Sequence, residues 1–244
     1  MKRQLTWGGV ARWAAVLLCA FALKLYYAQA SADQLRWVLA PTTLLVEAVS
    51  GTSFAFEPHA GYISEDRRFL IAPACAGINF LIAAFLMLSA RRLLRDKSRG
   101  RAWKFIPAAA LIAYLVTLVA NATRIAIALR LGRPQEAGWL SPEGLHRAEG
   151  ILVYFSFLLL LFVADERMTA EKSGSLWRQS LFPLLVYYAT ALGMPLMNGA
   201  YRQGGGFWDH AAFVLLIPWL LILPFAVCRR LLRVRPRGNF AGSQ

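Results

Sequence analysis

Beyond the flanking Lys104, residues 104–128 contain a single charged side chain, Arg124. A run of that length and apolarity fixes what the backbone can do. In hydrocarbon no water pairs the peptide N–H and C=O groups, so about 20 such residues cross a bilayer as a helix. Segments 147–164, 181–197 and 209–228 read the same way. A fifth, 12–28, is apolar apart from Lys24, whose long stem lets its charge reach an interface. A sixth, about 76–92, begins after Ala72-Pro73-Ala74-Cys75 and ends at Arg91-Arg92. Segment 35–50 is short, with Pro41 in its middle and Glu47 in its later half. It reads as an amphipathic or re-entrant helix at the interface rather than a span. The expected fold class is an all-α integral membrane protein, a polytopic bundle of about six transmembrane helices plus that interfacial or re-entrant helix.

Composition excludes the alternatives. The chain has 244 residues, 58% hydrophobic and 16% charged, with a net charge of +14. A soluble domain carries about 25% charged residues, and a disordered one has far less Leu, Ile, Val and Phe. A DNA-binding module would explain the charge but not the hydrophobicity. Length predicts one domain, residues 1–244, ending in a basic tail over 229–244. The three cysteines, Cys19, Cys75 and Cys228, lie in or beside apolar runs, so no disulfide framework is visible.

Two readings of the N-terminus stand. Met1-Lys2-Arg3, the apolar run 13–23 and Ala28-Gln29-Ala30 resemble a signal peptide. Arg12 and Lys24 bracketing the run, with Tyr26-Tyr27 as an aromatic belt, favour a retained helix. Either leaves residue 31 outside the cytoplasm.

Basic residues then orient the chain. The linker 91–104 holds seven of them against Asp96, and Arg229–Arg237 holds five more. With six spans and 35–50 not crossing, both segments and both termini are cytoplasmic. The arginine excess is an orientation signal and requires no nucleic-acid partner. Met194-Pro195, Pro218 and Pro224 are expected to kink the last spans. Trp139, Tyr201 and Trp208 fit interface anchoring.

That topology brings three residue types to one depth. Cys75 stands roughly 24 Å above the inner boundary marked by Arg91, at 1.5 Å per helical residue. Arg124 stands roughly 30 Å above Lys104, and His146 roughly 28 Å above Asp165. Each has a bland explanation. A cysteine in an apolar setting is usually a small buried hydrophobe, Arg124 can snorkel from a helix end, and a lone interfacial histidine is commonplace. Against these, a thiol at a helix N-terminus gains the positive end of the dipole. An ionisable group within a span is a functional candidate, and Asn121 lies one turn earlier on the same face as Arg124. Together the three make a nucleophile, a charge stabiliser and a proton shuttle.

The local sequences carry a resemblance. Ala74-Cys75-Ala76-Gly77-Ile78-Asn79 resembles the Cys-Ser/Ala-Gly box of the exosortase/archaeosortase family. Asn121-Ala122-Thr123-Arg124-Ile125 resembles its Asn-x-x-Arg box, and His146-Arg147-Ala148-Glu149-Gly150 its His-x-x-x-Gly box. The boxes occur in the family's order, over residues 60–165, and the small size is similar to compact subgroups such as exosortase K. The resemblance implies a cysteine protease/transpeptidase in a bacterial inner membrane, with its active site facing the exterior. It implies secreted protein substrates bearing C-terminal sorting signals (a short motif, a membrane helix, a basic cluster), membrane lipids as surroundings and no cofactor. Cys75 would be the nucleophile, Arg124 the oxyanion stabiliser or substrate-orienting group, and His146 the general acid/base. Asn121 and Asn79 would orient the site, and Gly77 and Gly150 would permit close helix approach.

Alternation around Pro58 and Gly61 predicts a hairpin over 54–64, lying over the site as a lid or substrate rest. Two other functions are to be weighed. A metal-dependent hydrolase would use His59, His146 and His210 with Asp209, although none of these histidines shares close helical spacing with another. A non-enzymatic scaffold or transporter would place ionisable groups near the bilayer midplane and show internal repeats. Here the polar groups gather at one rim and no repeat is visible.

Overall fold

The apolar runs fold as helices. A computed structural model of the chain describes residues 7–95, 102–131, 141–169, 176–197, 202 and 206–233. The helices are α1 (Trp7–Gln29), α2 (Arg36–Ser50), α3 (Ile78–Arg95), α4 (Ala102–Leu131), α5 (Pro142–Met168), α6 (Leu176–Ala191), α7 (Gly193–Met197) and α8 (Gly206–Arg233). Among the described residues, five stretches are long and apolar enough to cross a membrane. They are Trp7–Gln29, Pro73–Arg95, Phe105–Leu131, Glu143–Met168 and Gly206–Pro224. The protein is a polytopic helical membrane protein, all-α apart from one small sheet. The central span is Pro73–Arg95, 67% buried, against which α1, α4, α5 and α6 pack.

Segment 181–197 differs from expectation. It is not one helix: α6 ends at Ala191, Leu192 forms a turn, and α7 follows. Pro195 has no N–H to return to the carbonyl of Ala191, and Gly193 is a poor helix former. The 16 residues of α6 reach about 24 Å, short of a hydrocarbon core of about 30 Å. Pro218 and Pro224 do lie inside the unbroken α8. Of the expected anchors, Trp208 is exposed on α8, while Trp139 and Tyr201 lie outside the described residues. So do linker residues 96–101 and tail residues 234–244, the earlier tail arginines being carried by α8.

Helix α2 is too short to span and packs on α4, with Val38, Leu39, Thr42, Thr43 and Val46 buried. Trp37 stacks on Tyr114 at 5.6 Å, and the Tyr114 hydroxyl donates to the Trp37 carbonyl at 2.7 Å. At its other end Val49 shares an apolar groove with Ala126 and Arg130. It therefore runs alongside α4 instead of across its end. Gly51, at φ 69°, caps it in the left-handed conformation.

The expected hairpin forms as β1 (Phe54–Glu57) and β2 (Gly61–Ser64), with Phe54 opposite Ser64 and Glu57 opposite Gly61. A two-residue strand β3 (Leu70–Ile71) completes an antiparallel sheet in the order β1-β2-β3. Gly61 is required where it stands, because a Cβ there would run into the Ile71 carbonyl. In the β2–β3 turn the Ser64 hydroxyl donates to Asp66 at 2.6 Å and holds that carboxyl below its ordinary range. The sheet is tied to its neighbours at both ends, through the Phe54 N–H to Glu47 (2.7 Å) and the His59 N–H to Asp33 (3.1 Å).

Three arginines of the basic linker belong to the last turns of α3 and are paired. Buried Arg91 donates to Asp165 Oδ2 at 2.7 Å, and Arg92 to Asp165 Oδ1 at 3.2 Å. Arg95 donates to Thr169 at 3.0 Å, and Arg91 also stands 3.7 Å from Glu166. Phe162 and Phe105 cover the guanidinium groups of Arg91 and Arg92. Removing a carboxylate shared in this way leaves buried Arg91 and partly buried Arg92 and Arg95 facing one another. Asp165→Ala should lower stability by about 3 kcal/mol, seen as a fall in the unfolding midpoint in detergent. Glu57→Ala, which frees only the exposed Arg67, should cost less than about 1 kcal/mol.

Candidate active site

Strand β3 delivers the chain into a 3-10 turn, Pro73–Cys75, before α3 begins. Proline suits the first position of such a turn, where no N–H is needed. The Cys75 N–H donates to Ala72 at 2.8 Å and the Ala76 N–H to Pro73 at 3.0 Å. Gly77 then takes φ 70° and its carbonyl accepts from Phe80 and Leu81, opening α3. Cys75 therefore sits in the turn that precedes α3, not in the first turn of the helix, because the left-handed glycine separates the two. The thiol is free and half-buried.

Asn121 holds this turn from α4. Its side chain is fully buried, with the amide nitrogen donating to the Cys75 carbonyl and Oδ1 accepting from the Tyr154 hydroxyl at 2.8 Å. Gly77 makes the approach possible, since a Cβ there would lie 3.2 Å from Asn121 Cγ and 3.3 Å from Thr117 Cγ2. Tyr154 stacks on Phe80 at 5.1 Å and lies beneath Arg124, whose guanidinium carbon is 5.6 Å from the ring centroid. Arg124 is one turn beyond Asn121 and interacts electrostatically with Cys75, Tyr154 and Glu149. Its Nε is buried without a hydrogen-bond partner among the described residues.

His146 lies in the second turn of α5, whose first turn is capped by Ser141 accepting from the Gly144 N–H at 3.1 Å. The imidazole is half-exposed, with Nδ1 3.4 Å from Glu149 Oε2. His146 and Arg124 line one cavity of about 290 Å³, together with Lys24, Arg147, Tyr154 and His210. Gly150 faces Arg124 across it, and an added Cβ would meet Arg124 Cδ at an ordinary 3.6 Å. Asn79 also lines the cavity and accepts from Lys24 Nζ at 2.8 Å. Helix α1 thereby joins the site, and the Tyr27 hydroxyl reaches the Pro73 carbonyl at 3.5 Å.

The expected residues thus fall into two touching groups. Cys75, Gly77, Asn121 and Arg124 form the bonded cluster, while His146, Gly150 and Asn79 line the cavity that Arg124 shares. The hairpin expected as a lid packs on α2, and no residue of its strands lines the cavity. Its tip residue His59 is exposed and pairs with Asp33 (3.2 Å), apart from His146 and His210. Among the described residues, no three His, Cys, Asp or Glu side chains converge as a metal site.

Sequence reasoning misses the parts that Tyr154, Lys24 and Glu149 play. A stripe in α5 marks Tyr154, which follows His146 and Gly150 at successive four-residue steps on one helical face. Lys24 reads as a snorkelling charge because nothing local distinguishes that use from a bond to Asn79.

No family model, curated protein or solved structure matches the chain.

Gly77 and Gly51 share a left-handed backbone, at φ 70° and 69°, but only at Gly77 would an added methyl have neighbours within 4 Å. Gly51→Ala should cost about 1 kcal/mol from backbone strain alone. Gly77→Ala should cost roughly twice that, because the methyl also presses on Asn121. Thermal unfolding of the two variants side by side checks the difference.

Proposed function

We propose that the protein is a membrane-embedded cysteine protease/transpeptidase of the exosortase kind, acting on C-terminal sorting signals of secreted proteins. The observation that carries this is the cluster in which Asn121 holds the Cys75 backbone while Arg124 faces the same residue and shares a cavity with His146. The order of the three sequence boxes supports the same assignment.

In the proposed reaction the Cys75 thiolate attacks the scissile carbonyl carbon, and electrons move onto the carbonyl oxygen. Arg124, half-buried beside Cys75, stabilises that oxyanion. Collapse of the intermediate breaks the C–N bond, His146 gives a proton to the departing amine, and a thioester remains on Cys75. Water or an acceptor amine then attacks the thioester, yields its proton to His146, and expels the thiolate. The half-exposed imidazole suits a group that must meet both the leaving and the incoming partner.

Orientation belongs to the same proposal: a bacterial inner membrane, both termini cytoplasmic, and Cys75 at the outer rim. A substrate helix with a basic end would then lie beside the spans with its outer end level with Cys75.

Co-expression with a secreted protein carrying a C-terminal helix and basic tail should yield a shortened product. Cys75→Ala, Arg124→Ala and His146→Ala should each reduce processing at least about 100-fold while membrane insertion persists. Full cleavage by the Cys75→Ala chain, or loss of cleavage on chelation alone, would sink the thiol mechanism. A second measurement addresses topology. In cells carrying Cys19→Ser and Cys228→Ser, an impermeant maleimide added outside should label Cys75. Labelling only after the cytoplasmic face is opened would reverse the orientation.

A further inference from the structure

We infer that Glu149 is the positioning residue for His146, accepting the Nδ1 proton of the imidazole so that Nε2 is the nitrogen that exchanges protons at the site. The inference rests on the peptidase reading for its function, but not for its chemistry. The two residues stand one helical turn apart on α5, with Nδ1 and Oε2 3.4 Å apart. An ordinary pair at this spacing lies on a solvated face and contributes little. Here the exposure is asymmetric: the Glu149 side chain is 9% exposed and that of His146 54%. The acid is fixed in the protein and the ring reaches into the cavity.

A carboxylate at that depth requires cationic or hydrogen-bonding neighbours. Glu149 Oε1 is buried with no hydrogen-bond partner among the described residues, so the polar contact seen for this carboxyl is the one from Oε2 to His146 Nδ1, at 3.4 Å. Arg124 supplies the nearby positive charge, interacting with Glu149 as well as with Cys75. Glu149 thus stands between the two groups assigned to charge stabilisation and proton transfer. Which ring nitrogen of a neutral histidine keeps its proton is set by what the other faces. An acceptor at Nδ1 holds the proton there and aims the free Nε2 lone pair away from α5's own acid. A base whose orientation is held by a third group is the arrangement that nucleophilic catalysis requires.

The test uses the full chain in detergent with ¹⁵N-labelled histidine, at a pH where the ring is neutral. The chain has three histidines, and His146→Gln identifies the signal of interest. The wild type should show His146 as the Nδ1–H tautomer. Glu149→Leu, which removes the acceptor, should move it to Nε2–H, whereas Glu149→Gln, which keeps an acceptor oxygen, should retain Nδ1–H. Against a cleaved substrate, Glu149→Leu should lower kcat about 100-fold with KM unchanged, and Glu149→Gln should restore part of that loss. Glu149→Ala replaces the leucine variant if that chain does not elute like the wild type. An unchanged tautomer, or an unchanged kcat, in the variant lacking the acceptor would overturn the inference. A tautomer change in a chain that cleaves no substrate would instead leave the pairing standing and remove the peptidase reading alone.

Discussion

The buried Asn121 amide is the contact on which the site depends. An amide has donors on one side and an acceptor on the other, so when fully buried it must find complementary partners in two directions. Leaving either unmet would cost a few kcal/mol in so apolar a setting. Asn121 meets both by joining the Cys75 turn to Tyr154 of α5, with α4 between them. Gly77 supplies the missing methyl's worth of space that lets these elements close. The position of Cys75 is therefore set by neutral hydrogen bonds and packing, and the charged groups are arranged around it.

Those charged groups are distributed unevenly. Three arginines of α3 gather on the single buried carboxylate of Asp165. Around the cavity, Lys24, Arg124 and Arg147 are drawn from α1, α4 and α5, with Glu149 as the buried acid beside them. Arg124 also lies over a tyrosine ring, a weaker partner for a guanidinium than a hydrogen-bonded carboxylate. Among the described residues, these three cations stand against one acid, Glu149. Under the proposed reaction, it is there that negative charge would develop.

Much of this was legible in the sequence. Apolar runs locate five spans because hydrocarbon leaves the backbone no alternative to helix, and Cys75, Arg124 and His146 stand out as reactive groups at span ends. Asn121 was visible from its one-turn spacing to Arg124. What escaped depends on distant partners. Lys24 acquires meaning only through Asn79, 55 residues away, and Tyr154 only through Asn121, 33 away. The break at Leu192 follows from Pro195, yet Pro218 and Pro224 are accommodated inside α8, so proline alone does not say which outcome will follow. Strand β3 is two residues long and carries no periodicity to read. The arginines of 91–95 look like solvated linker charges until Asp165 is brought beside them.

The Arg91–Asp165 contact joins residues 74 positions apart, with the whole of α4 between them. During synthesis, α3 must be made and placed well before the carboxylate it will share exists. The same holds for the turn at Cys75, whose Asn121 partner comes 46 residues later and whose Tyr154 support comes later still. In membrane bundles helices insert first and associate laterally second, and here the Arg91–Asp165 bond can form only once α5 has been made. A nascent chain halted before α5 would carry the Cys75 turn and Asn121 but neither the tyrosine that steadies that amide nor His146, so the cluster would be only half built.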